Sequence, residues 1–227
     1  MQRTLSYIAI IIVILANNLS VFAEEQDEKV DSIPLWNGFR VELDIASPLF
    51  SAMGMSESYN TEGGIYFNLK RKYFPLFEMG VAGLNNKISP EAAVFSTNGM
   101  FFRAGMDLNL LKTSKDNSFS NNAFLVGFRL GTSSFSYDLT NVLVNDNYWG
   151  GSEIRNYENV HANKWWYEVV VGMRVEVFKN VLLGWNVRNK HLFKAEKGGS
   201  VYPYFTPGFG FTHSANWAFN YTVGYKF

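Results

Sequence analysis

The chain has 227 residues, with 20 Lys+Arg, 20 Asp+Glu, three His and no Cys, so its formal net charge is zero. The lack of Cys excludes disulfides, thiolate metal sites and cysteine nucleophiles, and the neutral balance argues against nucleic acid as a partner. Aromatic residues make up 17% of the chain and charged residues 18%, which is not the composition of a disordered protein.

The first 23 residues have the pattern of a secretory signal peptide. Arg3 precedes the apolar run Tyr7–Ala16, and Val21 and Ala23 are small residues at positions −3 and −1 of a cleavage site. A transmembrane anchor would need about 20 apolar residues. We therefore expect export and cleavage after Ala23, which leaves a mature chain with a net charge of −1.

From Gly38 onward, apolar residues recur with a period of two, which predicts β-strands rather than helices. Residues 38–227 are predicted to be one β domain, and the six Pro fall outside the alternating runs, as strand interiors require. Tyr204–Thr212 could form a ninth strand, but its prolines and glycines favour a loop. The eight runs are Phe39–Ala46, Ile65–Lys70, Phe77–Ala82, Met100–Leu110, Phe124–Gly131, Trp165–Val177, Val181–Arg188 and Trp217–Phe227.

The two faces of these strands differ in a way that favours a membrane barrel. One face is large and aromatic, and the other mixes glycine with charge, which suits the narrow interior of an eight-stranded barrel. A soluble sandwich or lipocalin would turn its polar face outward. We predict an all-β, eight-stranded, antiparallel, up-and-down transmembrane barrel of outer-membrane type, closed by a lumen ionic network. That network is predicted to contain Arg40, Glu42, Asp44, Lys70, Glu78, Arg103, Asp107, Arg129, Glu168, Arg174, Glu176 and Arg188, with Lys226 on the same face.

The strand ends and connections predict how such a barrel is oriented. Aromatic residues at strand ends resemble interfacial girdles, and the connections mostly alternate between long and short. Long outer loops and short periplasmic turns place both termini in the periplasm, with residues 24–37 as an N-terminal tail. The predicted girdle residues are Tyr73, Phe74, Phe135, Tyr137, Trp165, Trp166, Tyr167, Tyr202 and Tyr204.

The C-terminus carries a resemblance to known barrels. Tyr221, Val223, Tyr225 and Phe227 alternate up to a terminal aromatic residue, like the insertion signal of outer-membrane barrels. Together with Pro207–Gly210 and Trp217–Tyr221, this end of the chain resembles an uncharacterised family of small outer-membrane barrels from Bacteroidota. The resemblance implies a location in the outer membrane and a barrel fold. It implies no activity, because a fold does not fix a function.

Catalytic, metal and cofactor sites are not expected. The predicted long loop Ser136–Lys164 and its neighbour contain the polar residues of a possible rim enzyme, but the sequence has no nucleophile elbow and no His-x-x-x-His spacing. A Ca²⁺ site at Asn145–Asn147 is conceivable, although these are also ordinary turn residues. The rim candidates are Asp138, Asp146, Ser152, Glu153, Glu158, His161 and His191, with His213 weaker.

We therefore expect a structural or interaction barrel that presents aromatic loop residues such as Tyr148, Trp149 and Tyr157 or serves as an accessory subunit. Its expected partners are outer-membrane lipid, the barrel-assembly machinery during insertion and other envelope proteins. The alternatives are a narrow channel or a rim-active outer-membrane enzyme that modifies lipid acyl chains or cleaves proteins.

Overall fold

A computed structural model describes residues 34–54, 58–87, 93–111, 121–145, 152–193, 201–212 and 215–227. Trp36–Phe227 form one compact unit. The predicted signal peptide, its cleavage site at Ala23, most of the predicted tail, Asp146, Asn147 and His213 lie outside the described residues.

Eight strands form a closed antiparallel barrel. Neighbours in the barrel are neighbours in the chain, and the first strand closes the ring by pairing with the last, with Val41 opposite Tyr225. The predicted all-β fold of eight antiparallel strands is confirmed. The barrel strands are β1 (Trp36–Asp44), β2 (Ser58–Leu69), β3 (Tyr73–Lys87), β4 (Val94–Asn109), β5 (Ala123–Asn145), β6 (Ser152–Phe178), β7 (Val181–Leu192) and β10 (Ala215–Lys226).

The two ends of the barrel differ in their connections. We call one end the turn end, because it holds the turns at residues 70–72 and 179–180, the start of β1 and the end of β10. Lys70 and Arg71 have φ of 52° and 54°, the left-handed pair that matches the twist of a tight hairpin. The turn end also carries the connection between β4 and β5, because the end of β4 pairs with the start of β3 and of β5. The opposite, loop end carries the other connections, and β5 and β6 extend furthest there.

Alternation along the strands places large apolar side chains on the outside of the barrel. On β5, Phe128 and Leu130 are 50% and 45% exposed, whereas Arg129 between them is completely buried. We call this outer surface the apolar belt. It includes Leu43, Ile65, Phe67, Phe77, Met79, Val81, Met100, Phe102, Met106, Phe128, Leu130, Val169, Val171, Met173, Val175, Phe219 and Tyr221, all at least 36% exposed.

The polarity of β5 and β6 reverses toward the loop end. Beyond Leu130, the inward residues Phe135, Tyr137 and Leu139 are buried, and the outward residues Ser134 and Asp138 are exposed. With this reversed polarity, both strands continue through most of the predicted loop Ser136–Lys164, so the expectation of a long loop there is wrong. We call the paired segments 132–145 and 152–165 the β5–β6 extension.

Pro75 lies inside a strand, which the alternating runs do not predict. It is the third residue of β3 and pairs with Met106 of β4. On the β2 side, the register passes from Leu76 directly to Tyr73, so Pro75 has no strand partner there. The missing amide donor of proline is tolerated at this interruption in the ladder.

Residues 204–212 do not add a ninth strand to the barrel wall. They contain a small hairpin of β8 (Phe205–Thr206) and β9 (Gly210–Phe211), which forms a separate two-stranded sheet. Phe205 and Phe209 are 4% and 1% exposed, because the hairpin packs into the loop end of the barrel. The segment is therefore an internal stopper, which we call the inner hairpin.

A short helix, α1 (Ala46–Ala52), interrupts the barrel wall after β1. β1 ends at Asp44, but the two strands beside it continue toward the loop end, β2 back to Ser58 and β10 back to Ala215. α1 packs against both of these strands. Within the described part of the chain, no helix combines the length and apolar character needed to cross a membrane.

Candidate functional site

The candidate site is the interior of the barrel, where buried charges meet around Glu78. Glu78 Oε2 lies 3.0 Å from Arg103 Nη1 and 2.8 Å from Arg188 Nη1, and Oε1 lies 3.1 Å from Arg129 Nε. The Tyr66 hydroxyl donates a further hydrogen bond of 2.6 Å to Oε1. One carboxylate from β3 therefore holds three guanidinium groups from three other strands.

Two more glutamates surround the same arginines. Glu62 Oε2 lies 3.0 Å from Arg103 Nη2, and Glu62 Oε1 lies 3.1 Å from Arg188 Nη2. Glu168 Oε1 lies 2.9 Å from Arg103 Nε and accepts a 2.7 Å hydrogen bond from the Trp166 indole. Each charge thus has opposite charges or hydrogen-bond donors in contact, which buried ions require.

A second cluster lies around Glu42. Arg174 donates to Glu42 from Nε at 2.8 Å and from Nη2 at 2.7 Å, a two-point contact that fixes both planar groups. Arg40 Nε lies 2.7 Å from Glu42 Oε1. The Arg40 guanidinium also lies over the rings of Tyr66 and Phe74, 4.8 Å and 4.5 Å from their centroids.

These side chains fill the interior of the barrel. Arg103, Arg129 and Arg188 are at most 1% exposed, and Glu78 and Glu168 at most 2%. An eight-stranded barrel is just wide enough for its inward side chains, so a packed ionic layer leaves no room for a wide aqueous path. Inward glycines make space for the bulky side chains of the interior: a Cβ on Gly131 would lie 2.3 Å from the Trp166 ring.

The structure brings together nine of the twelve predicted network residues. They are Arg40, Glu42, Glu78, Arg103, Asp107, Arg129, Glu168, Arg174 and Arg188, all buried and joined by the contacts above or, for Asp107, by a 3.2 Å contact with Arg129.

Three predicted residues have other positions. Lys70 is exposed in the turn between β2 and β3, because the strand ends one residue before it. Glu176 is half-buried at the turn end, where it accepts hydrogen bonds from Asn121 and the Asn180 amide. Asp44 is buried, but it accepts bonds from the backbone amides of Ala46, Ser47 and Tyr221. Lys226, on the same predicted face, is half-buried at the turn end and contacts Asn121.

The sequence analysis missed four inward residues of this site. Glu62 and Lys190 lie outside the alternating runs, because those runs stop short of the true ends of β2 and β7. Tyr66 and Trp166 occur inside the runs on the polar face, and their donor groups bond to Glu78 and Glu168. The signal for both aromatic residues was their phase, since they alternate with exposed residues on the same strands.

An aromatic layer covers the ionic layer at the loop end. The inner hairpin contributes Phe205 and Phe209 to a cluster with Phe95, Phe101 and Trp166. Two cations of the ionic layer hold the hairpin: Lys190 Nζ and Arg103 Nη2 donate to the Gly208 carbonyl at 2.7 Å and 3.2 Å. Gly208 has φ of 78° and touches the Phe101 ring, so no side chain fits there.

This layer changes the assignment of the predicted girdle. Phe74, Phe135, Tyr137 and Trp166 are 0–5% exposed and face the interior, so they cannot form an outer ring. Outward aromatic residues instead occur near both ends of the belt. Those at the turn end are Trp36, Phe67, Tyr73, Phe178, Tyr225 and Phe227, and those toward the loop end are Trp165, Phe193 and Trp217.

Among the rim residues that the structure describes, there is a Ser–His contact but no triad. Ser136 Oγ lies 2.8 Å from His161 Nδ1 on the outer face of the β5–β6 extension. Asp138 accepts from the Asn159 amide instead, and Glu153 pairs with Arg155 and raises the pKa of that guanidinium. His191 stacks on Tyr167. Among the described residues, no group of three His, Asp or Glu could hold a metal ion.

Taken together, fold and interior define a small closed β-barrel with an ionic core and an aromatic stopper. The chain belongs to the family described as Domain of unknown function (DUF6048), whose model matches residues 4–227. A comparison with curated proteins gives no match.

Proposed function

We propose that the protein is exported and spans the outer membrane as a closed barrel with a structural or interaction role. The observation that carries this proposal is the reversed polarity of the barrel: Phe128 and Leu130 are exposed outside, and Arg129 is buried between them. In water, exposed apolar side chains around a whole barrel would be unfavourable, whereas in a bilayer they contact the acyl chains of the lipid. The expected signal peptide supplies the export step.

The height of the apolar belt supports the same proposal. On β10, outward residues from Trp217 to Phe227 span ten residues, which is about 33 Å along a strand. At the strand tilt of about 40° that is usual for a barrel, this corresponds to a height of about 25 Å. Outer-membrane barrels have apolar bands of this height, bounded by aromatic residues.

Orientation follows from the connections. The two described short turns and both ends of the barrel sequence lie at the turn end, which we assign to the periplasm. Tyr221, Tyr225 and Phe227 face outward on the last strand, with Val223 in the same phase, which suits an insertion signal read by the barrel-assembly machinery. The resemblance of this end to small barrels of Bacteroidota supports the same location.

A structural or interaction role is favoured over a channel because the lumen is packed. Ion pairs around Glu78 and the inner hairpin above them occupy successive layers of the interior. The β5–β6 extension instead has a polar outward surface, on which an envelope protein or glycan could dock. Nucleic acid and cofactors have no place in this proposal.

The second candidate is a rim enzyme that acts on lipid or protein. The specific observation in its favour is the Ser136–His161 contact, which pairs a possible nucleophile with a possible base. Against it, a triad would also need a group that orients the imidazole, and among the described residues the side-chain hydrogen bond of His161 is to Ser136 and not to a carboxylate. We therefore retain the structural role as the main proposal.

The test is purification of the tagged protein from membranes in mild detergent, with identification of co-purifying proteins and conductance recordings in planar bilayers. We expect stoichiometric envelope partners and no conductance steps above those of protein-free bilayers. Discrete ion-conducting steps would contradict the closed lumen and favour the channel alternative. Release of fatty acid from outer-membrane lipid, lost in Ser136→Ala, would favour the enzyme alternative.

A further inference from the structure

The barrel wall has a notch beside β1. β1 pairs with β2 as far as Leu43 and with β10 as far as Asp44, but both neighbours continue toward the loop end. Residues 59–62 of β2 and 215–220 of β10 therefore face each other without a described strand between them. We call this gap the wall notch, and α1 lies against both of its edges.

Several polar groups inside the wall notch bond to other groups of the chain. Asp44 accepts a bond of 3.2 Å from the Tyr221 amide, and the Ile45 amide donates to the Tyr221 carbonyl at 2.9 Å. Asn220 of β10 reaches across the gap and donates to Glu62 Oε1 at 3.1 Å. The inner side of the notch thus continues the ionic layer.

The outer side of the notch is apolar. Asp44 binds the amides of Ala46 and Ser47 and turns the chain into α1, where Ala46 is buried. The other large side chains point away from the barrel: Ile45, Leu49, Phe50 and Met53 are 42%, 55%, 42% and 62% exposed. No residue of Ala46–Ala52 is charged, and the hydroxyl of Ser47 bonds back to Asp44.

The position of α1 along the barrel axis places it at the level of the apolar belt. Ile45 lies opposite Tyr221, which is an outward residue of the belt. Trp217, four positions earlier on the same strand, belongs to the aromatic row toward the loop end. Four residues of a tilted strand correspond to about 10 Å of height. The helix therefore begins below that aromatic row and continues the apolar belt from Leu43, which is 60% exposed.

We propose that α1 is part of the membrane-facing wall and that Leu49, Phe50 and Met53 contact acyl chains of the outer leaflet. This inference rests on the proposed membrane function. A helix suits this position because it satisfies most of its backbone hydrogen bonds internally, which an open strand edge in hydrocarbon cannot do. The helix seals the notch, and its apolar surface takes the place of the missing upper half of β1.

The chain has no Cys, so single cysteines can be introduced and labelled with a nitroxide without background. Leu49→Cys and Met53→Cys report on α1, Val171→Cys on the apolar belt and Glu158→Cys on the exposed β5–β6 extension. Each protein is folded into phosphatidylcholine vesicles, and folding is checked by its gel mobility before heating. Power-saturation spectroscopy then compares collisions with oxygen, which enriches in lipid, and with a nickel chelate, which stays in water.

We expect the labels at 49 and 53 to match the label at 171, with oxygen collisions well above nickel collisions, and the label at 158 to show the opposite. Labels on α1 that behave like the label at 158 would overturn the inference, because the helix would then face water. Labels on α1 shielded from both reagents would overturn it in favour of a protein contact. If the label at 171 also failed to report lipid, the membrane proposal itself would fail.

Discussion

Glu78 is the residue on which the packing of the barrel interior depends most. It contacts Arg103, Arg129 and Arg188, each from a different strand, and is 2% exposed. Transferring hydrated charges into such an interior costs desolvation free energy, and the ion pairs offset this cost only while every partner is present. The loss of Glu78 removes one counter-charge from all three guanidinium groups and leaves the buried layer with an excess of positive charge.

We predict that Glu78→Gln lowers the free energy of unfolding by about 3–5 kcal/mol, because three guanidinium groups lose their shared counter-charge. The matched control is Glu153→Gln, since Glu153 pairs with Arg155 at 67% and 55% exposure. That exposed pair should change stability by less than about 1 kcal/mol. Urea titration of the protein folded in detergent micelles, followed by tryptophan fluorescence, measures both values.

Equal effects of the two substitutions would mean that the ionic layer does not stabilise the barrel. At this scale, the phase of the alternation put charges in the middle of a run on the inner face, and Arg103 and Arg129 are buried there. It failed at Lys70 and Glu62, because the exact ends of β2 depend on the turn and on pairing with β3. Partners within the network could not be predicted, since they join strands far apart in sequence.

Among the elements, β5 and β6 explain both a success and a failure of the period-two pattern. The halves of both strands near the turn end have outward apolar residues, and the sequence analysis identified these halves as strands. Beyond Leu130, toward the loop end, the alternation continues but the apolar residues are now the inward ones, such as Phe135 and Tyr137. From the sequence alone, such a segment is predicted to be a loop or part of an aromatic girdle. Only the position of the inner hairpin shows what the inward rings pack against.

The inner hairpin could not be predicted for a different reason. Its prolines and glycines exclude a regular strand, but nothing local shows that the segment turns into the barrel rather than away from it. That direction depends on the Gly208 carbonyl, which meets Lys190 and Arg103, and on Phe209, which packs edge-on against Trp166 at 6.0 Å.

We predict that Phe209→Ala lowers the free energy of unfolding by about 3 kcal/mol, because it leaves a cavity in the aromatic layer. Phe193→Ala is the control from the same connection, since Phe193 is 61% exposed and should cost less than about 1 kcal/mol. Thermal unfolding of both variants in the same micelles, monitored by circular dichroism, tests the comparison. A similar loss in both would show that the inner hairpin does not pack stably in the barrel.

For the whole molecule, the layers follow one another from the turn end to the loop end: an ionic interior within an apolar outer wall, then an aromatic interior within a polar outer wall. The change occurs at about the level of Thr132 and Trp165, which pair across β5 and β6. In the proposed setting, this level is the outer surface of the membrane. The barrel keeps one ring of strands and changes only which face is apolar.

The most direct test of the central claim is the location and heat modifiability of the protein in fractionated cells. A closed barrel resists unfolding by dodecyl sulfate, so unheated protein should be found in the outer-membrane fraction and migrate faster than the heated protein. Recovery in the soluble periplasmic extract, with the same mobility before and after heating, would contradict the account.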